Sequence, residues 1–348
     1  MNEQHLDRLL HGRRSRRSVM KGAVAASLVA PVAFRSFGVA GAQDESYQIA
    51  YLTPGLNVPF WKYLSDGIKQ AAVASGASIE VTDYDSRNDA ATQLQNAQDA
   101  ITRGVDAIII SPTDSSTAPA VLELAAEANV PVIIADIGTD SGDYVSFVIS
   151  SNEQGAYEAG QVLVENMKAN GWEGADVVMI TISQARINGQ NRTRGFTRAL
   201  EEGGSKVAQY LESKDYTRAE AQQQALDLPT ANPDARGFFT QHDGATLGAW
   251  TAIGDAGKQN DLILVGFDGS PESVELIREG KLKAASMQQP VLMGRMSLDV
   301  TLKHLRGEEV EKETEVPTIL VTPENLTDVE TTLADTVFPV EGGTPPAA

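Results

Sequence analysis

The chain has 348 residues, 42% of them hydrophobic, with 30 glycines and 15 prolines, an ordinary soluble composition in a chain longer than one hydrophobic core usually serves. It contains no cysteine, which excludes disulfides, thiolate metal sites, a cysteine nucleophile and a lipid-modified N-terminal cysteine. The net charge of −19 is uneven: residues 1–42 carry seven basic and two acidic side chains, a net of +5 that leaves −24 on the other 306 residues, a surface that repels phosphate backbones and anionic headgroups, so no nucleic-acid partner is expected.

The first 42 residues read as an export address. A basic run, Arg13-Arg14-Ser15-Arg16-Arg17-Ser18-Val19-Met20-Lys21, precedes a modest apolar stretch from Gly22 to Phe34, and the small residues Ala40-Gly41-Ala42 follow. Pro31 and Arg35 interrupt that stretch, which is too short to span a bilayer. Ser15-Arg16-Arg17-Ser18-Val19-Met20-Lys21 resembles the twin-arginine export signal. Cleavage after Ala42 would begin the mature chain at Gln43, and no later segment is apolar enough to cross a membrane.

From Tyr47 onward, short apolar runs alternate with longer helical stretches. Strands are predicted at Gln48–Thr53, Ser78–Asp83, Ala107–Ser111, Val130–Asp136 and Val145–Ile149. A second series follows at Asp176–Ile182, Lys206–Leu211, Gly237–Gln241, Ile263–Phe267, Lys283–Met287 and Thr318–Val321. Ile108-Ile109-Ile110 and Val132-Ile133-Ile134 are apolar on both faces, as parallel strands covered by helices must be. In Asn88–Arg103, Ala91, Leu94, Ala97, Gln98 and Ile101 keep helical spacing, and Gly104 stops the helix. Asn152–Asn170 and Ala219–Asp227 read the same way. Two series of βαβ units predict an α/β protein of two doubly wound parallel-sheet lobes, with ligand sites at the C-terminal ends of the strands. The Gly- and Pro-rich tail from Phe338 to Ala348 is expected to be disordered.

Candidate site residues fall where strands end. Phe60 and Trp61 follow the first strand and open a helix at Pro59. Aromatic faces pack on the C–H faces of a sugar ring, although such residues also build cores. Asp136, Asp243 and Asp268 each end a predicted strand. A carboxylate accepts from vicinal hydroxyls, but it also caps helices. Asp243 reads as the cap of a helix at Gly244–Gly257, which leaves Asp136 and Asp268 with the better claim on a ligand. Gln190, Arg192 and Arg194 open a helix over Gly189–Glu202, and Tyr216, before a capping Thr217, suits a second aromatic wall. The four histidines are His5, His11, His242 and His304, two of them in the export segment, and supply no metal triad or nucleophile set. No phosphate-binding glycine loop occurs. Neither a cofactor nor a metal is expected, and an Asp136–Asp268 glycosidase pair remains open beside a pure binding role.

Several motifs together resemble the periplasmic sugar-binding proteins of type I fold that feed ATP-driven importers. They include Asn57-Val58-Pro59-Phe60-Trp61, Ile110-Ser111-Pro112-Thr113-Asp114, Arg192-Thr193-Arg194-Gly195-Phe196, Gln241-His242-Asp243-Gly244-Ala245 and Val265-Gly266-Phe267-Asp268-Gly269. The resemblance runs from about Gln48 to Val321. It implies one lobe from residues 47–149 plus 289–317, another from 150–288 plus 318–337, and a hinge of three crossings near Ser150, Gln288 and Thr318. It implies ligand contacts from Phe60, Trp61, Asp136, Tyr216, Asp268 and Gln288, and the full set expected at the ligand adds Asn57, Gln190, Arg192 and His242. Ribose binders place an arginine where Ile137 stands, a second arginine at Gln190, an asparagine at His242 and polar residues at Pro54 and Val58. Five altered polar contacts, each worth roughly 0.5–3 kcal/mol, point to another pentose, a hexose or a polyol. Ligand would bridge the lobes, a monomer would close by hinge motion, and an importer's permease would read the closed shape.

Three rivals share features with this reading. Repressors of the lactose type have the same core behind a DNA-binding module, which the export segment and acidic surface oppose. A secreted carbohydrate-active enzyme, or a sugar sensor delivering to a chemoreceptor, would use the same residue types.

Overall fold

The computed structural model describes residues 45–338. The export segment, its cleavage point and most of the tail lie outside these residues.

Two six-stranded sheets organise the fold. The first is built from β1 (Ser46–Thr53), β2 (Ser78–Asp85), β3 (Ala107–Ile110), β4 (Val132–Ala135) and β5 (Ser146–Ser150), joined late in the chain by β11 (Glu313–Val316). Its spatial order is β11-β5-β4-β3-β1-β2, and every pairing is parallel. The second contains β6 (Val177–Thr181), β7 (Val207–Glu212), β8 (Gly237–Thr240), β9 (Ile263–Phe267), β10 (Ala284–Met287) and β12 (Ile319–Val321). Its order, β12-β10-β9-β8-β6-β7, repeats that of the first, except that β12 runs antiparallel to β10. Both are doubly wound sheets, as the alternating pattern requires.

Ten helices cover the sheets among the described residues. They are α1 (Pro59–Ala74), α2 (Ala90–Thr102), α3 (Ala118–Glu127), α4 (Asn152–Ala169), α5 (Ile187–Glu202), α6 (Arg218–Ala231), α7 (Asp243–Asp255), α8 (Pro271–Arg278), α9 (Pro290–Leu305) and α10 (Leu326–Thr336). Strand alternation sends successive side chains to opposite cores. Ile49, Tyr51, Ile109 and Ile133 pack under α1 and α9, whereas Ala50, Leu52, Ile108, Ile110 and Ile134 pack under α2 and α3. In the second sheet, Val177, Met179, Phe239 and Val265 meet α4 and α5, while Val178, Ile180, Phe238 and Leu264 meet α6, α7 and α8.

Two close helix approaches depend on glycine. A β-carbon at Gly67 would collide with the Val291 carbonyl, and one at Gly195 with the Glu153 carbonyl. The first allows α1 to lie on α9, and the second α5 on α4.

The strand β11 has no counterpart in the sequence expectation. Its residues Glu-Thr-Glu-Val are exposed except at Val316, as befits a sheet edge, and carry little apolar signal. Phe338, expected to begin the disordered tail, is instead buried in the core beside Leu333 and Val337.

The chain passes between the sheets three times: after Ser150, after Gln288 and at Pro317–Thr318. These passages are bonded together. Ser151 N donates to Val316 O, Gln289 Nε2 to Pro317 O at 2.7 Å, and Ser286 Oγ to Thr318 Oγ1 at 3.0 Å.

Candidate functional site

Parallel strands in both sheets bring their C-terminal ends to one interface. The residues just past those ends carry unusual backbone. Of the six non-glycine residues in left-handed conformation, Asn88, Asp136, Tyr216 and Asp268 line one shared cavity. Such conformations are disfavoured for L-residues and collect where function demands a particular side-chain direction.

The cavity holds about 630 Å³ of free space, part of it open to solvent. The first lobe contributes Pro54, Asn57, Val58, Phe60, Trp61, Asn88 and Asp136; the second contributes Ile182, Arg186, Asn188, Arg192, Tyr216, His242 and Asp268; Gln288 stands at the crossing. Phe60 and Trp61 meet edge to face, with ring centroids 4.7 Å apart and planes at 89°. Both line the cavity, and both also pack on the first lobe's core.

Polar groups form opposed sets. Asp136 Oδ2 accepts from Asn188 Nδ2 at 2.9 Å, a bond across the two lobes. Its Oδ1 is buried with no partner among the described residues. Asp268 Oδ1 accepts from Gln288 Nε2 at 2.6 Å, and Gln288 Oε1 is likewise buried and unpaired. Burial pushes the Asp136 carboxyl up to about 7, against the pull of Arg192, and raises that of Asp268 against Arg192 and Gln288.

Arg192 is fully buried and held on several sides. Its Nε donates to Asn152 Oδ1 at 2.8 Å and Nη1 to Gln241 O at 2.6 Å; the guanidinium lies 4.0 Å from the Phe267 ring centre and 3.7 Å from Asp268 Oδ2. Asn152 also donates to Ser150 O, so Arg192 links the first crossing to a cavity carboxylate. Arg186 reaches across the lobes, with Nε donating to Thr113 O and Nη2 to Asn88 Oδ1, each at 2.9 Å. Beside it, Ile187 N donates to Ser115 Oγ at 3.1 Å and Ser115 N to Ala185 O at 3.3 Å. Two arginines, Arg186 and Arg192, and three carboxylates, Asp136, Asp215 and Asp268, thus line the cavity, and Arg186 also lies 3.7 Å from Asp114 Oδ1.

The structure corrects three expectations. Gln190 is exposed and donates to Gln184 O, outside the cavity. Its helix begins at Ile187 rather than Gly189, which puts Asn188 and Arg192, four residues apart, on the inward face and Gln190 on the other. The guanidinium expected to be missing there is supplied by Arg186. Asp243 does not cap α7; His242 does, its ring accepting from Ala245 N, while Asp243 accepts from Ser270 and Ser273. Arg194 is exposed and pairs with Glu153 at 2.6 Å.

The remaining candidates, Asn57, Phe60, Trp61, Asp136, Arg192, Tyr216, His242, Asp268 and Gln288, converge on the cavity. Ile137 is buried in the core and lies outside it. Sequence reasoning passed over Arg186, Asn188 and Asn88. The signal available for Arg186 was its position just past the end of β6. Among the described residues, no cluster of three or more His, Asp or Glu could hold a metal, and no helix is long and apolar enough to cross a membrane.

Residues 49–309 match the periplasmic binding protein domain. Over 286 residues the chain is 34% identical to the ribose import binding protein of Salmonella typhimurium, covering 82% of this chain and 94% of that one. It superposes with a TM-score of 0.76 and 26% identity on a carbohydrate transporter solute binding protein from Agrobacterium radiobacter in complex with D-arabinose, over 82% of this chain and 97% of the other. A Bacillus halodurans ABC transporter solute binding protein with bound myo-inositol gives 0.74 and 27%, over 83% and 99%. The matched span takes in both sheets except the edge strands β11 and β12 and the start of β1, together with the strand ends that build the cavity, and the chain belongs to the periplasmic binding protein family.

Proposed function

We propose that this protein captures an uncharged sugar or polyol between its lobes and presents it to the permease of an ATP-driven importer. The observation that carries the reading is the pair of buried, unpaired acceptors, Asp136 Oδ1 and Gln288 Oε1, at one cavity. A buried acceptor without a donor is costly, and a ligand rich in hydroxyls supplies donors to both. Groups of both signs line the cavity, Arg186 and Arg192 beside Asp136, Asp215 and Asp268, so an anion and a cation would each meet like charge, which favours a neutral ligand. Phe60 and Trp61 offer ring faces to its C–H surface. Ligand bonded to both lobes shifts the population to the closed form, which the permease recognises. Export by the twin-arginine route, cleavage after Ala42, a periplasmic location and a monomeric state belong to the same reading. So do the lobe boundaries at the three crossings. Ribose itself is disfavoured by Ile137, His242, Pro54 and Val58, although Arg186 restores one of the guanidiniums.

The test is thermal unfolding of the mature chain from Gln43 against pentoses, hexoses and polyols. Ligand at about 100 times its Kd should add about 2.7 kcal/mol of stability. The shift should vanish in Asp268→Ala and Trp61→Ala. A flat panel would remove the sugar assignment, and turnover of a bound sugar would make the protein an enzyme instead.

A further inference from the structure

His242 lines the cavity, yet both of its ring nitrogens are engaged elsewhere. Nδ1 accepts at 3.3 Å from the backbone N–H of Ala245, which also donates to His242 O at 3.0 Å. A backbone N–H only donates, so Nδ1 carries no proton. The neutral ring then keeps its proton on Nε2, which donates to Ser213 Oγ at 3.0 Å. Burial, aided by the Arg192 and Arg186 guanidiniums, holds the pKa down at about 3, so this neutral tautomer persists at ordinary pH.

What the imidazole shows the ligand is therefore carbon. Tyr216 stands beside it, ring centroids 5.4 Å apart and planes tilted by 59°, its hydroxyl engaged by the N–H of Ser183. Ile182 extends the same second-lobe wall. Of the groups that seek hydroxyls, Asp136 and Gln288 lie at the strand end of the first lobe and at the crossing, while Asp268, Asp215 and the Arg186 guanidinium, 5.0 Å from the Tyr216 ring centre, border the wall.

We infer that the His242–Tyr216–Ile182 wall selects a ligand whose facing edge carries no hydroxyl, a pentopyranose or a 6-deoxyhexose in preference to a hexose with a free CH2OH. This rests on the sugar reading above and narrows it. A hydroxyl pressed against the wall gives up its water and finds no partner, a loss of about tenfold to a hundredfold in affinity.

The experiment is calorimetric Kd measurement in four series of matched stereochemistry: D-galactose, D-glucose, D-mannose and D-allose, each beside its 6-deoxy derivative and its pentose homologue (L-arabinose, D-xylose, D-lyxose and D-ribose). In the series that binds, the CH2OH member should be weaker than the other two by about tenfold or more. His242→Asn keeps a residue suited to capping α7 and gives the wall a spare amide; it should narrow that ratio to about threefold or less. Equal or tighter binding of the CH2OH member by the native protein would overturn the wall and leave the sugar reading standing. No binding in any series would overturn the inference, while the broader sugar or polyol reading would fall only if the polyols of the panel above were silent too. Nitrogen NMR of the native His242 ring reads the premise directly: Nδ1 unprotonated and Nε2 protonated, unchanged when the bound sugar is added. A proton on Nδ1, or a sugar contact at Nε2, would overturn the inference however the variant folds.

Discussion

Asp136 sits in left-handed backbone at the end of β4, buried, with one oxygen bonded across the lobes and the other without a partner. Because burial raises its pKa from 3.8 to about 7, the folded protein retains a proton that the unfolded chain releases. Between about pH 4 and 7 the unfolded state binds fewer protons, so this residue's contribution to stability falls as pH rises through that window and levels off above it. Ligand hydroxyls donate to the ionised form and draw the pKa back down, so binding expels a proton. Affinity should therefore weaken as pH falls below about 7, by up to about tenfold per unit. Calorimetry in buffers of differing ionisation enthalpy should detect the released proton, and Asp136→Asn should flatten the profile; proton uptake on binding would contradict the assignment. Asp136 and Asp268 were legible in the sequence because each follows directly on an apolar strand, and Phe60 and Trp61 because they open the helix that Pro59 begins. Gln190 was misplaced because residues two apart on a helix point about 200° apart, so Gln190 and Arg192 cannot both face the cavity. Asp243 was misread as the cap in place of His242 because the start of a helix is its least legible point.

At the scale of elements, the segment between β6 and α5 bonds directly to the loops after β2 and β3. Arg186, Ile187 and Ala185 meet Asn88, Thr113 and Ser115 with no ligand between them. These bonds form only when the lobes are together, so they stabilise the closed form whichever sugar it holds. Ser115 is buried and does not line the cavity, which makes it a clean probe. Ser115→Ala removes the acceptor for Ile187 N and should weaken binding about threefold to tenfold, by the same factor for every sugar that binds, because it lowers the population of the competent state. A loss confined to one sugar, measured by calorimetry, would place Ser115 in ligand contact instead. Elements such as β3 and β4 were legible because both faces of an interior parallel strand are apolar. The edge strand β11 was not, since its pairing with β5 is made by backbone atoms that no side-chain pattern records.

For the whole molecule, two sheets of like strand order present their C-terminal ends to each other, and the ligand space lies where they meet. The two-lobed architecture follows from the repeated alternation of strand and helix. The interlobe bonding does not, because it joins residues about a hundred positions apart, such as Asn88 and Arg186. The chain beyond residue 42 carries −24, a field that turns away anions. The cavity itself carries both signs, Arg186 and Arg192 beside Asp136, Asp215 and Asp268. A neutral polyhydroxy ligand satisfies both conditions, which is the central claim. Calorimetric titration of the mature protein with a neutral sugar that binds it, beside the corresponding uronic acid and amino sugar, tests that claim most directly. The neutral sugar should bind one to one, with each charged analogue weaker by at least about tenfold. Tighter binding of either charged analogue would contradict it.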